Sequence, residues 1–246
     1  MDVNGPWAGA GGTGTPGVGG RGVLEGAFAL LEAVERATEA GLTALSSECG
    51  LPKTTAYRLL EQLVALGAVE RRGTGYRMGH RMFRLGHSWQ PYPGLRAAAR
   101  GPARQLVRAT GTTVGVAVLR SGRTMVLDWT PGEAGEALGS LREGMTWPWF
   151  TAAGKVLVAQ ARPGLPLGPL PTAWRQQAAT IRDRGVAFDR EELAEGVCCV
   201  AVPLYGAGHV PVAALCVLTD PAHHLERLGE VARGTGHAIS AALRGR

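Results

Sequence analysis

The stretch LTALSSECGLPKTTAYRLLEQLVALGAVERRGTGYRMG, from Leu42 to Gly79, constrains the fold more than any other part of the chain. Thr43 is a good N-cap for a short helix, ALSSEC, that Gly50 ends. Pro52 suits the first turn of the next helix, where its missing N–H costs nothing. In that helix, KTTAYRLLEQLVAL, residues Ala56, Leu59, Leu60, Leu63 and Leu66 recur on one face, and Gly67 closes it. AVERRGTGYRMG then alternates apolar and polar residues around Gly73-Thr74-Gly75, a β-hairpin signal. Upstream, Leu24, Ala27, Leu31 and Val34 recur at helical spacing over residues 23–37, an amphipathic helix that Gly41 stops. Three helices with a tight turn at Gly50, followed by a basic hairpin, is the layout of a winged helix-turn-helix. In that layout the helix after the turn enters the major groove of DNA.

Charge agrees with this placement. Residues 21–110 hold 13 Lys+Arg against 7 Asp+Glu, whereas residues 111–246 hold 13 against 12. A basic segment joined to a near-neutral one points to a polyanion-binding module attached to something else. The chain has 24 Arg and only two Lys, Lys53 and Lys155, a bias that a GC-rich genome also produces, so Arg abundance by itself carries no weight. Residues 1–20, rich in Gly with two Pro, offer little to bury and read as a disordered tail. No uncharged apolar run is long enough to span a membrane, and the N-terminus lacks a secretory pattern. Four cysteines, Cys49, Cys198, Cys199 and Cys216, without a CxxC spacing fit a reducing cytoplasm.

HRMFRLGHSW begins a linker helix that Pro91-Tyr92-Pro93-Gly94 interrupts and LRAAARGPARQLVRAT resumes. The domains therefore read as 21–79, a linker over 80–100, and 101–246. In the last of these, TVGVAVLR, MVLDWT, EALGSLR, CCVAVPLY and PVAALCVL are strand candidates. TAAGKVLVAQA, TAWRQQAATIRDR and the segment from His223 to Arg244 are helices. Strands with a first helix inserted midway and another at the end suggest an α+β layer structure.

On the helix after the turn, the apolar face directs Lys53, Thr54, Thr55, Tyr57, Arg58 and Gln62 away from the core. Arg58 can read a guanine edge through two hydrogen bonds, and Lys53 can reach a phosphate near the helix N-terminus. The alternative is an ordinary solvated face; the turn before the helix and the hairpin arginines Arg71, Arg72 and Arg77 after it favour DNA. Arg71 and Arg72 point to opposite faces of a strand, so only one need face DNA. Arg21 is a possible minor-groove or phosphate arm, or an idle charge beside the tail.

GVLEGAFALLEAV, LTALSSECGLPKTTAYRLLEQLVALGAVER and YRMGHRMFRLG resemble the N-terminal domain of the IclR family of bacterial transcriptional regulators. TAAGKVLVA, RGVAFDREELAEGVCCVAVPLY and VPVAALCVL resemble successive blocks of that family's effector-binding domain, in the same order. The resemblance implies a winged helix-turn-helix joined by a linker helix to a GAF-like α/β domain, a homodimer or homotetramer, and control of a promoter by a small molecule, often a carboxylate. It further implies effector contacts from Thr151, Ala152, Ala153 and Gly154 at a helix start, from Asp189, from Cys199, and from Cys216 and Leu218 on the last strand. Physical reasoning supports part of this set, because free N–H groups at a helix start form a carboxylate site. Each residue also has a plain reading: helix packing for Ala152 to Gly154, a turn or cap for Asp189, a buried structural thiol for either adjacent Cys. Cys216 and Leu218 stand where the family commonly has Ser, which favours a less polar ligand. Trp147, Trp149 and Phe150 are candidates to line the pocket, the core or an oligomer contact.

Other classes find less support. Cys199 with His209 or His237 has no catalytic signature around it. His223, His224, Cys198 and Cys199 match no zinc spacing, so no metal is implied. GTGTPG lacks a phosphate-loop Lys, and no cofactor is implied. The expectation is a cytoplasmic, homo-oligomeric regulator, more a repressor than an activator, that reads a palindromic operator in double-stranded DNA. Two alternatives remain: a ligand-unresponsive DNA-binding protein whose second domain only oligomerises, and a module whose basic face takes an acidic protein.

Overall fold

In a computed structural model, residues 22–132, 143–161, 164–208 and 210–245 are described. The proposed tail, Arg21, His209 and the EALGSLR strand lie outside the described residues. The chain divides into two units, one ending at Gln90 and the other beginning at Pro91.

In the first unit, α1 (Val23–Ala37), α2 (Leu42–Cys49) and α3 (Lys53–Ala65) surround one apolar core. Leu30, Leu31 and Val34 meet Leu45, Leu59, Leu60, Leu63, Val69 and Tyr76 there. Gly50 turns α2 into α3 in a left-handed conformation (φ +62°) that disfavours any side chain. The hairpin is β2 (Val69–Arg72) with β3 (Gly75–Met78), antiparallel and paired Arg71 to Tyr76 and Arg72 to Gly75. α4 follows over His80–Ser88.

Four local expectations need correction. Ala40 and Gly41 form a third strand, β1, paired to β3, so Gly41 rather than Thr43 caps α2 and Leu42 begins it. Pro52 is the N-cap of α3, one position before the first turn. Leu66 is 56% exposed, because α3 ends at Ala65 and Gly67 swings the chain into the hairpin. Leu24 is 75% exposed and its place in the core is taken by Leu30.

In the second unit a six-stranded sheet has the order β6-β5-β4-β9-β8-β7, each neighbour antiparallel. Its strands are β4 (Thr113–Arg120), β5 (Arg123–Thr130), β6 (Thr146–Pro148), β7 (Ala187–Arg190), β8 (Cys198–Tyr205) and β9 (Pro211–Thr219). The central strands read as continuous apolar runs because both faces are covered. Val200, Val202, Leu215 and Val217 pack with α5 (Leu95–Thr110) and α8 (Leu225–Arg244). Ala201, Ala214, Cys216 and Leu218 pack on the other face with α6 (Ala152–Ala159) and α7 (Trp174–Arg184). Gly236 lets α8 lie close to β8, and Ser240 Oγ accepts the Tyr205 amide at 2.9 Å. Sequence reading missed β7 and β6, which are too short to show a period. The mixed α+β architecture is otherwise as expected.

Candidate functional site

In the first unit, burial of Ala56, Leu59, Leu60 and Leu63 leaves Lys53, Thr54, Tyr57, Arg58 and Gln62 exposed, while Thr55 is half-buried at the edge of the core. Lys53 and Arg58 make no ion pair among the described residues, so both charges are available to a ligand. The hairpin arginines are not equivalent. Arg77 gives both Nε and Nη2 to Glu70 Oε2, at 3.1 and 2.7 Å, and this hydrogen bonding holds the Glu70 carboxyl below its ordinary range. Glu70 stands directly opposite Arg77 in the hairpin register, which is why the pair forms. Arg71 lies over the Tyr76 ring at 5.9 Å and reaches Glu61 at 3.7 Å. Arg72 is exposed, next to the tip at Gly73-Thr74, and has no ion pair among the described residues.

In the second unit, the expected effector residues share the face of the sheet that α6 covers. Asp189 stands opposite Cys199, Cys199 opposite Leu218, Ala201 opposite Cys216, and Cys216 opposite Gly115. Because paired residues point to the same side, all of these face α6 and α7, and Cys198 faces α5 and α8 instead. Gly115 brings no side chain, and the space beside it is an apolar cavity bounded by Val116, Val126, Trp129, Trp147, Cys216 and Leu218. Unexpanded, it has room for about one water molecule.

Of the expected effector residues only Cys216 and Leu218 bound this cavity; Thr151 to Gly154 at the start of α6, Asp189 and Cys199 do not. Thr151 caps α6 by accepting the Gly154 amide at 3.4 Å and donates to the Pro148 carbonyl at 3.1 Å. Thr124, on β5, donates to the Trp147 carbonyl at 3.2 Å and touches Thr151. Ala152, Ala153 and Gly154 are buried. The amides of Ala152 and Ala153 precede the first intrahelical acceptor and retain donor capacity. Gly154 serves packing: a Cβ there would stand 2.1 Å from the Trp149 carbonyl oxygen. Of the three aromatics before the helix, Trp147 lines the cavity and its Nε1 is buried without a partner among the described residues. Trp149 instead donates to the Leu167 carbonyl at 3.2 Å and packs edge-on against Trp174 at 4.9 Å. Phe150 is 37% exposed.

Asp189 is 3% exposed and accepts the Glu192 amide at 2.9 Å, so its carboxylate also organises the turn after β7. Burial pushes its carboxyl above the ordinary range. Lys155, which sequence reading passed over, is 3% exposed, donates to the Phe188 carbonyl at 3.0 Å and pairs with Glu192. It thus ties α6 to the β7 end of the sheet. Its one sequence signal is that it is a lysine at all in so arginine-rich a chain. Trp129 was also missed; only the register across from Gly115 brings it to the cavity.

Comparison with known proteins identifies the family. Residues 23–73 match the IclR helix-turn-helix domain, and residues 171–241 match the bacterial transcriptional regulator IclR C-terminal domain. The HTH-type transcriptional regulator XynR of Escherichia coli is 30% identical over 85% of this chain and 91% of its own length. The HTH-type transcriptional regulator BhcR of Paracoccus denitrificans is 28% identical over 80% of this chain and 76% of its own. Among solved structures, an IclR homolog from Microbacterium hydrocarbonoxydans, complexed with 4-hydroxybenzoate, superposes with a TM-score of 0.81. It is 23% identical and covers 92% of this chain and 100% of its own. The Thermotoga maritima IclR superposes with a TM-score of 0.68, at 22% identity over 89% of this chain and 98% of its own. No helix among the described residues is long and apolar enough to cross a membrane. A DNA-binding domain with an outward basic helix, carried with the family's second domain, makes this chain a transcription regulator rather than an enzyme, and it belongs to the IclR family.

Proposed function

We propose that the chain is a cytoplasmic, homo-oligomeric repressor that reads a palindromic operator through α3 and releases or rearranges it when a small molecule enters the cavity beside Gly115. The observation that carries the DNA half is the outward face of α3, where Lys53 and Arg58 have no ion pair among the described residues. Arg58 and Gln62 read base edges, Thr54, Thr55 and Tyr57 contribute positioning contacts, and Lys53 takes a phosphate. Arg72 supplies the hairpin's free charge, with Arg71 and Arg77 tied to carboxylates.

For the effector, the amides of Ala152 and Ala153 suit a carboxylate, and Trp129, Trp147, Cys216 and Leu218 suit an apolar or aromatic body. Thr151 and Gly154 shape the helix start, and Asp189 and Cys199, on the same face of the sheet but outside the cavity as it stands, are reached by a ligand that widens it. The relative complexed with 4-hydroxybenzoate supports an aromatic carboxylate as the first class to try. The effector shifts DNA affinity only by its differential affinity for the two states. A second reading, that the domain only oligomerises, is favoured by one observation: the cavity as it stands holds about one water molecule.

Selection of genomic fragments by the purified protein near physiological salt tests the proposal. Enrichment of a palindrome that Arg58→Ala abolishes, in a variant that still folds, supports it. Enrichment unchanged in Arg58→Ala refutes the assigned readout. Screening small aromatic carboxylates against the bound fragment then separates the two readings of the second domain, since Gly115→Val fills the cavity and removes a true effector response.

A further inference from the structure

Most of the positive charge in the first half of the chain does not belong to the DNA-binding unit. Residues 21–90 hold nine Lys+Arg against seven Asp+Glu, whereas residues 91–110 hold four Arg and no acidic residue. The boundary between the units falls between Gln90 and Pro91, so those four arginines are part of the second unit. All of them, Arg96, Arg100, Arg104 and Arg108, lie on α5 at intervals of four residues.

Each step of four residues advances about 40° around a helix and about 6 Å along it, so the four form one ridge about 18 Å long. Leu95, Ala98, Ala99, Ala103 and Leu106 are buried towards the sheet, which turns Arg100, Arg104 and Arg108 to the opposite, exposed side. Arg96, on the flank, is half-buried and reaches Glu143 at 3.9 Å. The other three make no ion pair among the described residues. α8, packed beside α5, exposes Arg227, Arg233 and Arg244 against Glu226 and Glu230, and Arg190 already engages Glu226. It therefore brings no acidic face to offset the ridge. Folding does not account for the ridge either, because like charges four residues apart weaken a helix.

Two kinds of polyanion suit such a ridge, and the residues between the arginines choose between them. An acidic protein is held chiefly by aromatic or apolar anchors in buried pockets. Beside the ridge α5 exposes only Ala97, Gly101, Gln105 and Ala109, which offer no anchor. Phosphates need only guanidinium forks at a regular spacing, and small neighbours let a nucleic-acid backbone come close. DNA is also the polyanion that the first unit is built to bind. We infer that Arg100, Arg104 and Arg108 on α5 form a second, sequence-independent surface for the phosphate backbone of duplex DNA. It is separate from the base-reading face of α3: α3 selects the sequence, and the ridge adds affinity for any duplex. The surface requires neither a palindrome nor an effector.

The test is titration of the full-length protein onto a random-sequence duplex, followed by fluorescence anisotropy over a series of salt concentrations. Each phosphate contact contributes about −0.9 to the slope of log K against log salt, so Arg104→Gln with Arg108→Gln should flatten the slope by about 1.8 per chain. Over a fourfold rise in salt, that variant should lose about 12-fold less affinity than wild type loses. Adding Arg100→Gln should flatten the slope by about 0.9 more. Arg175→Gln with Arg184→Gln removes the same charge from exposed positions on α7, on the other face of the sheet, and should keep the wild-type slope. Glutamine suits a helix as well as arginine does, so circular dichroism should show every variant folded. An unchanged slope in the Arg104, Arg108 variant overturns the surface and leaves the ridge to an acidic protein. An equal flattening in the α7 pair overturns it too, because net charge alone then explains the effect. A random duplex makes the outcome independent of operator reading, which Arg58→Ala scores separately on a selected fragment.

Discussion

Gly154→Ala isolates the packing at the start of α6. An alanine in a helix is ordinarily favoured over glycine by about 1 kcal/mol. At Gly154 the added Cβ would stand 2.1 Å from the Trp149 oxygen, 2.5 Å from its carbonyl carbon and 2.6 Å from its Cα. All three are backbone atoms, so no side-chain rotation relieves the contact. The segment that carries them cannot retreat cheaply either: the Pro148 carbonyl accepts from Thr151, and the Trp149 indole is held by Leu167 and Trp174. Overpacking a well-packed site costs about 1–3 kcal/mol and occasionally more, and a backbone clash belongs at the upper end. The net effect should be a loss of about 2 kcal/mol, or roughly 4–8 °C in the unfolding midpoint at about 2–4 °C per kcal/mol. Gly234→Ala, in α8, is the matched control: nothing lies within 4 Å of its Cβ position, so the helix preference acts alone and the midpoint should rise. Thermal unfolding followed by circular dichroism reads both. A Gly154→Ala protein as stable as wild type would show that α6 does not start against the Trp149 backbone, and the amide geometry assigned to Ala152 and Ala153 would go with it.

Asp189→Asn should remove a pH dependence. Its carboxyl is raised, so the folded state holds the proton more tightly than the unfolded chain; stability therefore falls as pH rises from the ordinary carboxylate range through the raised value. The asparagine keeps an acceptor for the Glu192 amide, so urea midpoints should favour the variant increasingly towards neutral pH, and a pH-independent difference would count against the buried charge. Ser240→Ala strands the Tyr205 amide and should cost about 1–3 kcal/mol in urea unfolding; no loss would mean another acceptor takes the amide. On a selected operator fragment, Arg72→Ala should weaken binding and flatten its salt dependence more than Arg77→Ala, whose charge Glu70 already offsets; equal effects would show that DNA draws Arg77 away.

The elements with a strong period were readable in the sequence. α1 runs over Val23–Ala37 as its apolar spacing requires, and α3 presents Lys53, Thr54, Tyr57, Arg58 and Gln62 outward because Ala56, Leu59, Leu60 and Leu63 fix the opposite face. What could not be read depends on pairing between distant residues. β1 is two residues long and exists only because β3 offers it an edge, which moved the α2 cap from Thr43 to Gly41. Arg77 looked like a free cation because its neutralising partner, Glu70, is set by hairpin register. The cavity is equally a product of register: Trp129, on β5, reaches it by standing opposite Gly115 on β4, and Gly115 stands opposite Cys216 on β9. Lys155 was hidden because its partners, the Phe188 carbonyl and Glu192, come from a separate strand and its following turn.

The division of labour between the two faces of the large sheet makes this domain unusually sensitive to changes in length. Along β8 and β9, alternate residues belong to different compartments, one supporting α5 and α8 and the other forming the wall beneath α6. Inserting or deleting a single residue at the start of β8, with the rest of the pairing kept, would exchange every following side chain between them: Val200 and Val202 would face α6 and α7, and Cys199 would be pressed towards α8. The amino-acid content of the strand would hardly change, yet both compartments would be lost at once. Natural length variation should therefore concentrate between Tyr205 and Pro211, or arrive inside the strands as compensated pairs.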